Sequence, residues 1–196
     1  KFFRRQGIVG PKRHDVPAST GIQGKVSEAC ECVMDVFAVS KGNPRRAEFS
    51  KLRNPLQNEA TDYGSSFARG AKVDFTETRH VFISGTAAID EAGRSVHVDD
   101  ARAQARRTLA NVEAVASAGG ARLGDLYNGI WYCKTRSCAK AVREEMRLRG
   151  WPAFPWIFLL ADVCRAELLV EMDGAALVRR RRRLSRGRGG WAKSLI

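Results

Sequence analysis

The stretch HVFISGTAAID, residues 80–90, begins the part of the chain whose sequence pattern is regular. Its first five residues are rich in β-branched and aromatic side chains, which favours a strand, and a glycine ends that run. Asp99 and Asp100 then open a segment in which apolar residues recur every three or four positions. These residues are Ala101, Ala105, Leu109, Val112 and Ala116. The period predicts a helix with one buried face, which ends at Gly119 and Gly120.

The same reasoning gives four further elements in the rest of the chain. They are a strand over residues 128–133, a helix that ends at Gly150, a strand over 156–161 and a strand over 166–172. The helix is marked by apolar residues at intervals of four, which share one face: Cys138, Val142 and Met146. The order strand, helix, strand, helix, strand, strand predicts an α+β fold with two helices packed on one face of a mixed sheet.

Residues 1–58 show no sustained periodicity and are punctuated by proline and glycine, so we expect mostly loops there. One short apolar run, residues 32–39, is long enough for a strand. We therefore expect a loop-rich segment over residues 1–58, a compact domain over 59–178 and a basic, disordered tail over 179–196.

The basic character of the chain is concentrated in the tail. The net charge is +13, and residues 179–196 hold eight arginine and lysine residues and no acid. Subtracting the tail's +8 from +13 leaves +5 for residues 1–178, so the body is only mildly basic. A basic tail can bind nucleic acid without sequence preference, and we expect nucleic acid as a partner only through this tail. A solvated extension without a partner is the favoured alternative.

The composition, 44% hydrophobic and 28% charged, is that of an ordinary globular protein. No run of about 18 uncharged apolar residues occurs, so we expect no membrane-spanning helix and no membrane partner. The N-terminal residues lack the apolar core of a signal peptide, from which we expect a cytoplasmic protein. Five cysteines and three distant histidines fit no zinc ligand set, so we expect reduced thiols, no metal and no cofactor.

Three stretches form a recognisable set. They are ISGTAAID at residues 83–90, QARRTLANVEAV at 104–115 and LLVEMD at 168–173. Together they resemble the YjgF/Rid family over about residues 80–178. The resemblance implies that family's chorismate-mutase-like fold, a sheet packed by two helices, and its usual homotrimer with sites in the clefts between subunits.

A narrower resemblance covers residues 17–173. ADVCRAELLVEMDG, residues 161–174, is similar to the closing strand of the chorismatases. Four further stretches match chorismatase motifs in the same order: PASTGIQG (17–24), NPLQ (54–57), YGSSFARG (63–70) and SVHVDDARAQ (95–104). The resemblance implies an enzyme that cleaves chorismate to pyruvate and a hydroxybenzoate or a dihydroxycyclohexadiene carboxylate. Residues 59–178 would be its Rid-like catalytic domain, and residues 1–58 the remnant of a related N-terminal half.

Two departures from the chorismatase pattern bear on activity. The chain begins late in the usual N-terminal half, which we interpret as a truncation. The strand that ends with the motif YVRH in the family reads WYCK here, residues 131–134, so Lys134 stands where an arginine is expected. Lysine keeps the charge but loses the planar, bidentate grip on a carboxylate.

Glu171 is the candidate catalytic acid. Cleavage of an enol ether needs a proton donor, and a carboxyl group serves at neutral pH only if its pKa is raised. In an alternating strand Leu169 and Glu171 share one face, so we expect Glu171 beside apolar groups that disfavour its charged form. The spacing alone favours a strand end that reaches solvent, and it is the resemblance that reverses this in favour of the catalytic role.

Chorismate carries two carboxylates, for which arginine is the best partner. We expect Arg69 and Arg165 to bind them, with Lys134 as a further cation at the end of its strand. Arg165 lies six residues before Glu171 and shares its strand face if the strand is regular. A solvated surface charge is the alternative for each of these cations.

Two further residues complete the predicted site. Tyr63 is expected to donate a hydrogen bond to the substrate, with the packing of a loop as the alternative. The resemblance places Cys164 at the ring-pocket position that is cysteine in the chorismatases that form 3-hydroxybenzoate. A small buried side chain is the alternative for Cys164.

Two other functions stay open. A Rid-type imine deaminase needs an arginine in the strand before the closing hairpin, and residues 154–158, FPWIF, contain none. A catalytically decayed Rid-like protein that binds a partner through its basic tail is consistent with the short N-terminal part and the charge of the tail.

Overall fold

A six-stranded sheet organises the chain. The computed structural model describes residues 16–22, 37, 39, 47–153 and 155–180. Its strands are β1 (Ala47–Leu52), β2 (Gly70–Phe75), β3 (Thr78–Ala87), β4 (Leu126–Cys133), β5 (Trp156–Leu160) and β6 (Val170–Arg179). Their order across the sheet is β1-β2-β3-β6-β4-β5. Neighbouring strands are antiparallel except β4 and β5, which are parallel, so the sheet is mixed.

The first two strands differ from the prediction. Residues 1–58 were expected to be mostly loops with one possible strand at 32–39, and no other strand was predicted before residue 80, but Ala47–Leu52 is a strand that pairs in register with Gly70–Phe75. β1 is an edge strand with little burial, so it lacks the apolar alternation by which strands are recognised. The run at residues 32–39, apart from Phe37 and Val39, and the tail beyond residue 180 lie outside the described residues. The domain boundary at residue 58 stays a prediction.

The closing strand starts later and runs further than predicted. Residues 164–167 form a turn, and β6 continues to Arg179, which the prediction assigned to the tail. Residues 174–176 are small and have a low preference for strands, so the sequence predicts this part of β6 weakly. In the sheet β6 lies between β3 and β4, and its backbone forms hydrogen bonds with both neighbours. Arg165 lies in the turn and not on β6, so the argument that placed it on the same strand face as Glu171 is wrong.

The two helices lie where the periodicity predicts them. They are α1 (Ala101–Ala118) and α2 (Arg136–Leu148). Each begins at a side-chain cap: the Asp100 carboxylate accepts a hydrogen bond from the Ala103 amide at 2.9 Å, and the Thr135 hydroxyl accepts one from the Cys138 amide at 3.2 Å. Such caps satisfy amide groups that the first helical turn leaves unpaired.

Both helices bury their apolar stripes against one face of the sheet. The main core joins Leu109 and Val112 of α1, Val142 of α2, Trp131 of β4 and Met172 of β6, each at most 1% exposed. This arrangement confirms the predicted α+β fold with two helices on one face.

The other face of the sheet carries no helix among the described residues. Alternation along β6 puts Glu171, Asp173 and Leu177 on this face, and the paired residue Tyr132 of β4 joins them. Apolar side chains are exposed at two places on this face, since Leu177 of β6 and Ile157 of β5 are 43% and 51% exposed. No helix in the described part of the chain is long and apolar enough to cross a bilayer.

Candidate active site

A β-bulge shapes the site on the helix-free face. The pairing of β3 with β6 changes register between Ile83 and Thr86, and Gly85 lies in this irregular segment. A bulge bends its strand and re-aims the side chains around it. A Cβ atom on Gly85 would overlap the Oε1 atom of Glu171. The missing side chain at residue 85 therefore provides the space that the Glu171 carboxyl group occupies.

Glu171 is a buried carboxyl group with an altered acidity. It is 6% exposed, and none of the described residues donates a hydrogen bond to it. Burial raises its pKa from the usual 4.5 to about 7, the charge of Asp173 raises it further, and Arg69 opposes both. Near neutral pH the group is therefore present in both protonation states and can deliver a proton.

Asp173, two residues further along β6, is a second carboxyl group on the same face and is partly buried. The Tyr132 hydroxyl donates to its Oδ2 atom at 3.0 Å, and the Thr20 hydroxyl lies close enough to act as a second donor that lowers the Asp173 pKa. Thr20 in turn accepts a hydrogen bond from the Gly85 amide at 2.9 Å. Burial raises the pKa of Asp173, while the two donors lower it.

Two arginines meet at one aromatic ring beside this pair of acids. The guanidinium carbons of Arg69 and Arg165 lie 5.5 and 4.9 Å from the centre of the Tyr63 ring. Arg69 is 2% exposed, and its Nε atom donates to the Asn58 carbonyl at 2.9 Å. The ion pairs between described residues include neither arginine. The two guanidinium groups therefore carry positive charges that form no ion pair with a described carboxylate.

Cys164 lies near Glu171, whereas Lys134 is engaged elsewhere. The Cys164 thiol donates to the Gly21 carbonyl at 3.2 Å. Burial and the Glu171 charge raise the pKa of this thiol, which therefore stays protonated at neutral pH. The Lys134 ammonium group donates to the Ala166 carbonyl at 2.6 Å and lies 3.4 Å from the carboxylate of Asp162. Its described contacts hold the loop before β6.

Buried amides on α1 fix the loops that border the site. The Gln104 side chain donates to the Glu167 carbonyl at 2.9 Å and accepts from the Leu169 amide at 2.8 Å, which fixes the chain just before β6. Seven residues further along α1, the Asn111 side chain donates a hydrogen bond to the Ala87 carbonyl at 2.9 Å, at the end of β3. Both amides are fully buried, so these hydrogen bonds are costly to lose.

An open groove of about 380 Å³ runs along the same face, and Asp173 is the acid of the site that lines it. Its lining combines apolar residues of the sheet, among them Phe82, Ile130 and Ala175, with the polar residues Ser19, Thr20, Ser84 and Asn128. The groove therefore offers both apolar contact area and polar groups that can orient a small molecule.

The structure brings together five of the six residues predicted for the site. These are Glu171, Arg69, Arg165, Tyr63 and Cys164. Sequence reasoning missed Asp173, Tyr132 and Thr20. Asp173 was recognisable, because a residue two positions after Glu171 in a strand must share its face. Thr20 had no local signal, since 65 positions separate it from Gly85.

Comparison with solved structures defines the fold of the chain. A chorismatase crystal structure matches with a TM-score of 0.65 and 24% identity, covering 89% of this chain and 54% of that one. RidA from an Antarctic Psychrobacter matches with a TM-score of 0.55 and 18% identity, covering 66% of this chain and 99% of that one. The chain therefore has the YjgF/Rid-like fold, as the sequence resemblance implies.

A curated relative makes the comparison more specific. The 3-hydroxybenzoate synthase of Streptomyces hygroscopicus is 32% identical over 146 residues, which are 64% of this chain and 43% of that protein. No family model matches the chain. The sequence match supports the resemblance to the chorismatases: over those residues the chain is similar to this synthase. It spans less than half the length of this curated relative.

Proposed function

We propose that this protein cleaves the enolpyruvyl ether of chorismate, with Glu171 as the acid that starts the reaction. One observation carries the proposal: a buried carboxyl group whose pKa is about 7 lies near Arg69, which meets Arg165 at the Tyr63 ring, and no described carboxylate pairs with either arginine. Such a group is protonated often enough at neutral pH to donate, and its conjugate base is strong enough to take a proton back. The similarity to a 3-hydroxybenzoate synthase supports this choice of substrate.

The chemistry begins at the carbon–carbon double bond of the enolpyruvyl group. Glu171 transfers its proton to the terminal methylene carbon, and the positive charge that forms is shared with the ether oxygen. Water adds to this cation and returns one proton to the Glu171 carboxylate. The resulting hemiketal breaks its bond to the ring oxygen, which takes the hydroxyl proton, and pyruvate leaves. This water route is the alternative to the hydroxybenzoate route, and its ring product is a dihydroxycyclohexadiene carboxylate.

The two arginines are proposed to hold the carboxylates of the substrate. Arg69 is fixed by the Asn58 carbonyl and by its packing on Tyr63 and Phe67, so its direction is set before a ligand arrives. Arg165 is fixed by the carbonyl of Gly93 at 2.9 Å. Preorganised cations bind an anion with little ordering cost. Lys134 is proposed to stabilise the loop before β6 and to contact substrate only if that loop moves.

The hydroxybenzoate product requires a different second step, in which the neighbouring ring hydroxyl attacks the ring carbon that bears the ether. The new carbon–oxygen bond forms as the bond from that carbon to the ether oxygen breaks, the hydroxyl proton passes to the Glu171 carboxylate, and pyruvate leaves. The arene oxide that remains opens and loses a ring proton to give the hydroxybenzoate. We propose this route, because Cys164 offers a neutral thiol near Glu171 and the curated relative is named for 3-hydroxybenzoate. The thiol is exposed in the free protein, and its raised pKa keeps it neutral, so it would act as a small contact for the substrate ring and not as a nucleophile. Cys164→Ser would then shift the product toward the water-derived dihydroxy acid.

The test measures pyruvate released from chorismate, together with chromatography of the ring product. The variant Glu171→Gln keeps the shape of the side chain and removes the acid, and we expect at least about a hundredfold loss of rate. Glu113→Gln is the matched control, since Glu113 is exposed on α1, and it should keep full activity. A folded wild-type protein that releases no pyruvate above the spontaneous background would refute the proposal. That result would favour a binding function.

A further inference from the structure

The second acid of the site has no part in the mechanism above, yet it is built into the same strand face. Asp173 follows Glu171 by two residues, so both side chains point to the helix-free face of β6. Its carboxylate accepts hydrogen bonds from the hydroxyl groups of Tyr132 and Thr20. These two donors come from different parts of the chain, β4 and the segment at residues 16–22. Glu171, in contrast, has no described hydrogen-bond donor.

We propose that Asp173 is a positioning residue whose negative charge, held by the hydroxyl groups of Tyr132 and Thr20, keeps the proton on Glu171. Two carboxyl groups this close in a shielded site do not both ionise readily. Hydrogen bonds stabilise the ionised form of the group that receives them, and among the described residues they reach Asp173 and not Glu171. Asp173 therefore ionises first, and Glu171 stays the proton donor. The role of Asp173 in catalysis rests on the proposed function, whereas the titration that tests its effect on Glu171 does not.

The other charged and titratable groups around Glu171 are consistent with this assignment. Arg69, from the segment before β2, favours the ionised form of Glu171 and acts against Asp173. Cys164, from the turn before β6, stays a neutral thiol, and Tyr132, from β4, stays a neutral phenol because burial raises the pKa of each. Asp173 is thus the described group whose charge opposes the ionisation of Glu171.

The test is a titration of the two carboxyl groups that does not depend on turnover. Infrared difference spectra between pH 4 and pH 9 follow the carbonyl stretch of the protonated acids, and Glu171→Gln identifies the Glu171 band. In Asp173→Asn the Glu171 titration should move down by about one pKa unit, because the neighbouring charge is gone. A Glu171 titration unchanged by Asp173→Asn would overturn the proposal.

A second variant tests the same idea where Asp173→Asn fails to fold. Tyr132→Phe keeps the ring and removes the hydrogen bond, so the titration of Asp173 itself should move up by about one unit. An unchanged Asp173 titration in this variant would overturn the proposal.

A pH profile then connects the titration to catalysis. If the pKa of Glu171 falls by about one unit in Asp173→Asn, kcat/KM should fall about tenfold at pH 8 and little at pH 5. A purely structural role of Asp173 would lower kcat/KM equally at both values, and that outcome would also overturn the proposal. A shifted Glu171 titration in a protein without pyruvate release would sustain this inference and refute the proposed function instead.

Discussion

The substitution Gly85→Ala tests directly whether the position of Glu171 controls activity. The new Cβ would overlap the Oε1 atom of Glu171 and stand 2.9 Å from the Cγ2 atom of Thr20. The carboxyl group is the far end of a flexible side chain, so it can move aside while the sheet stays intact. It must retreat by about 1 Å, and a misplacement of that size can reduce a rate about a hundredfold.

The backbone of Gly85 does not oppose alanine, since its φ lies outside the left-handed region. We therefore expect pyruvate release from chorismate to fall about a hundredfold while the free energy of unfolding changes by less than about 1 kcal/mol. Urea unfolding, followed by circular dichroism, measures the second quantity.

Gly124→Ala is the matched control for this experiment. A Cβ at residue 124 meets no atom within 4 Å, so neither stability nor activity should change. Activity of Gly85→Ala within about threefold of the wild type would show that the carboxyl group tolerates displacement. The reasoning that assigns the bulge a role in catalysis would then be refuted.

Three further outcomes are expected. Gly119→Ala places a Cβ 2.7 and 2.8 Å from the two methyl groups of Val81, so urea unfolding should show a loss of about 1–3 kcal/mol; an unchanged stability would contradict the close packing there. Glu171 binds its proton more tightly in the folded state than in the unfolded state. Its contribution to the free energy of unfolding is therefore complete below the unfolded pKa, near 4.5, and is lost as the pH rises through about 7. Between pH 5 and pH 8 the wild type should lose about 2–3 kcal/mol more than Glu171→Gln, and equal losses would argue against a raised pKa. Light scattering should give about three times the 21.7 kDa of one chain if the predicted homotrimer forms, and a monomer mass would contradict it.

The helices and the central strands could be predicted because their sequence patterns are local. Leu109 and Val112 recur with the helical period and are buried as that period requires. The run at residues 80–84 lies within β3, and the run at 128–133 lies within β4, because β-branched and aromatic residues dominate both. The edge strand β1 could not be predicted in this way, because most of its residues are exposed or half exposed and its pairing with β2 depends on the rest of the sheet.

The sequence by itself determined which residues could do the chemistry, and the tertiary structure decided how acidic they are. Motifs pointed to Glu171 and to Arg69, but their acidity and orientation come from contacts between distant segments. Thr20 reaches the site from a segment 65 residues before the bulge, and β4 brings Tyr132 to Asp173 across 41 residues of chain. A pKa depends on burial and on neighbouring charges, and both are properties of packing rather than of local sequence.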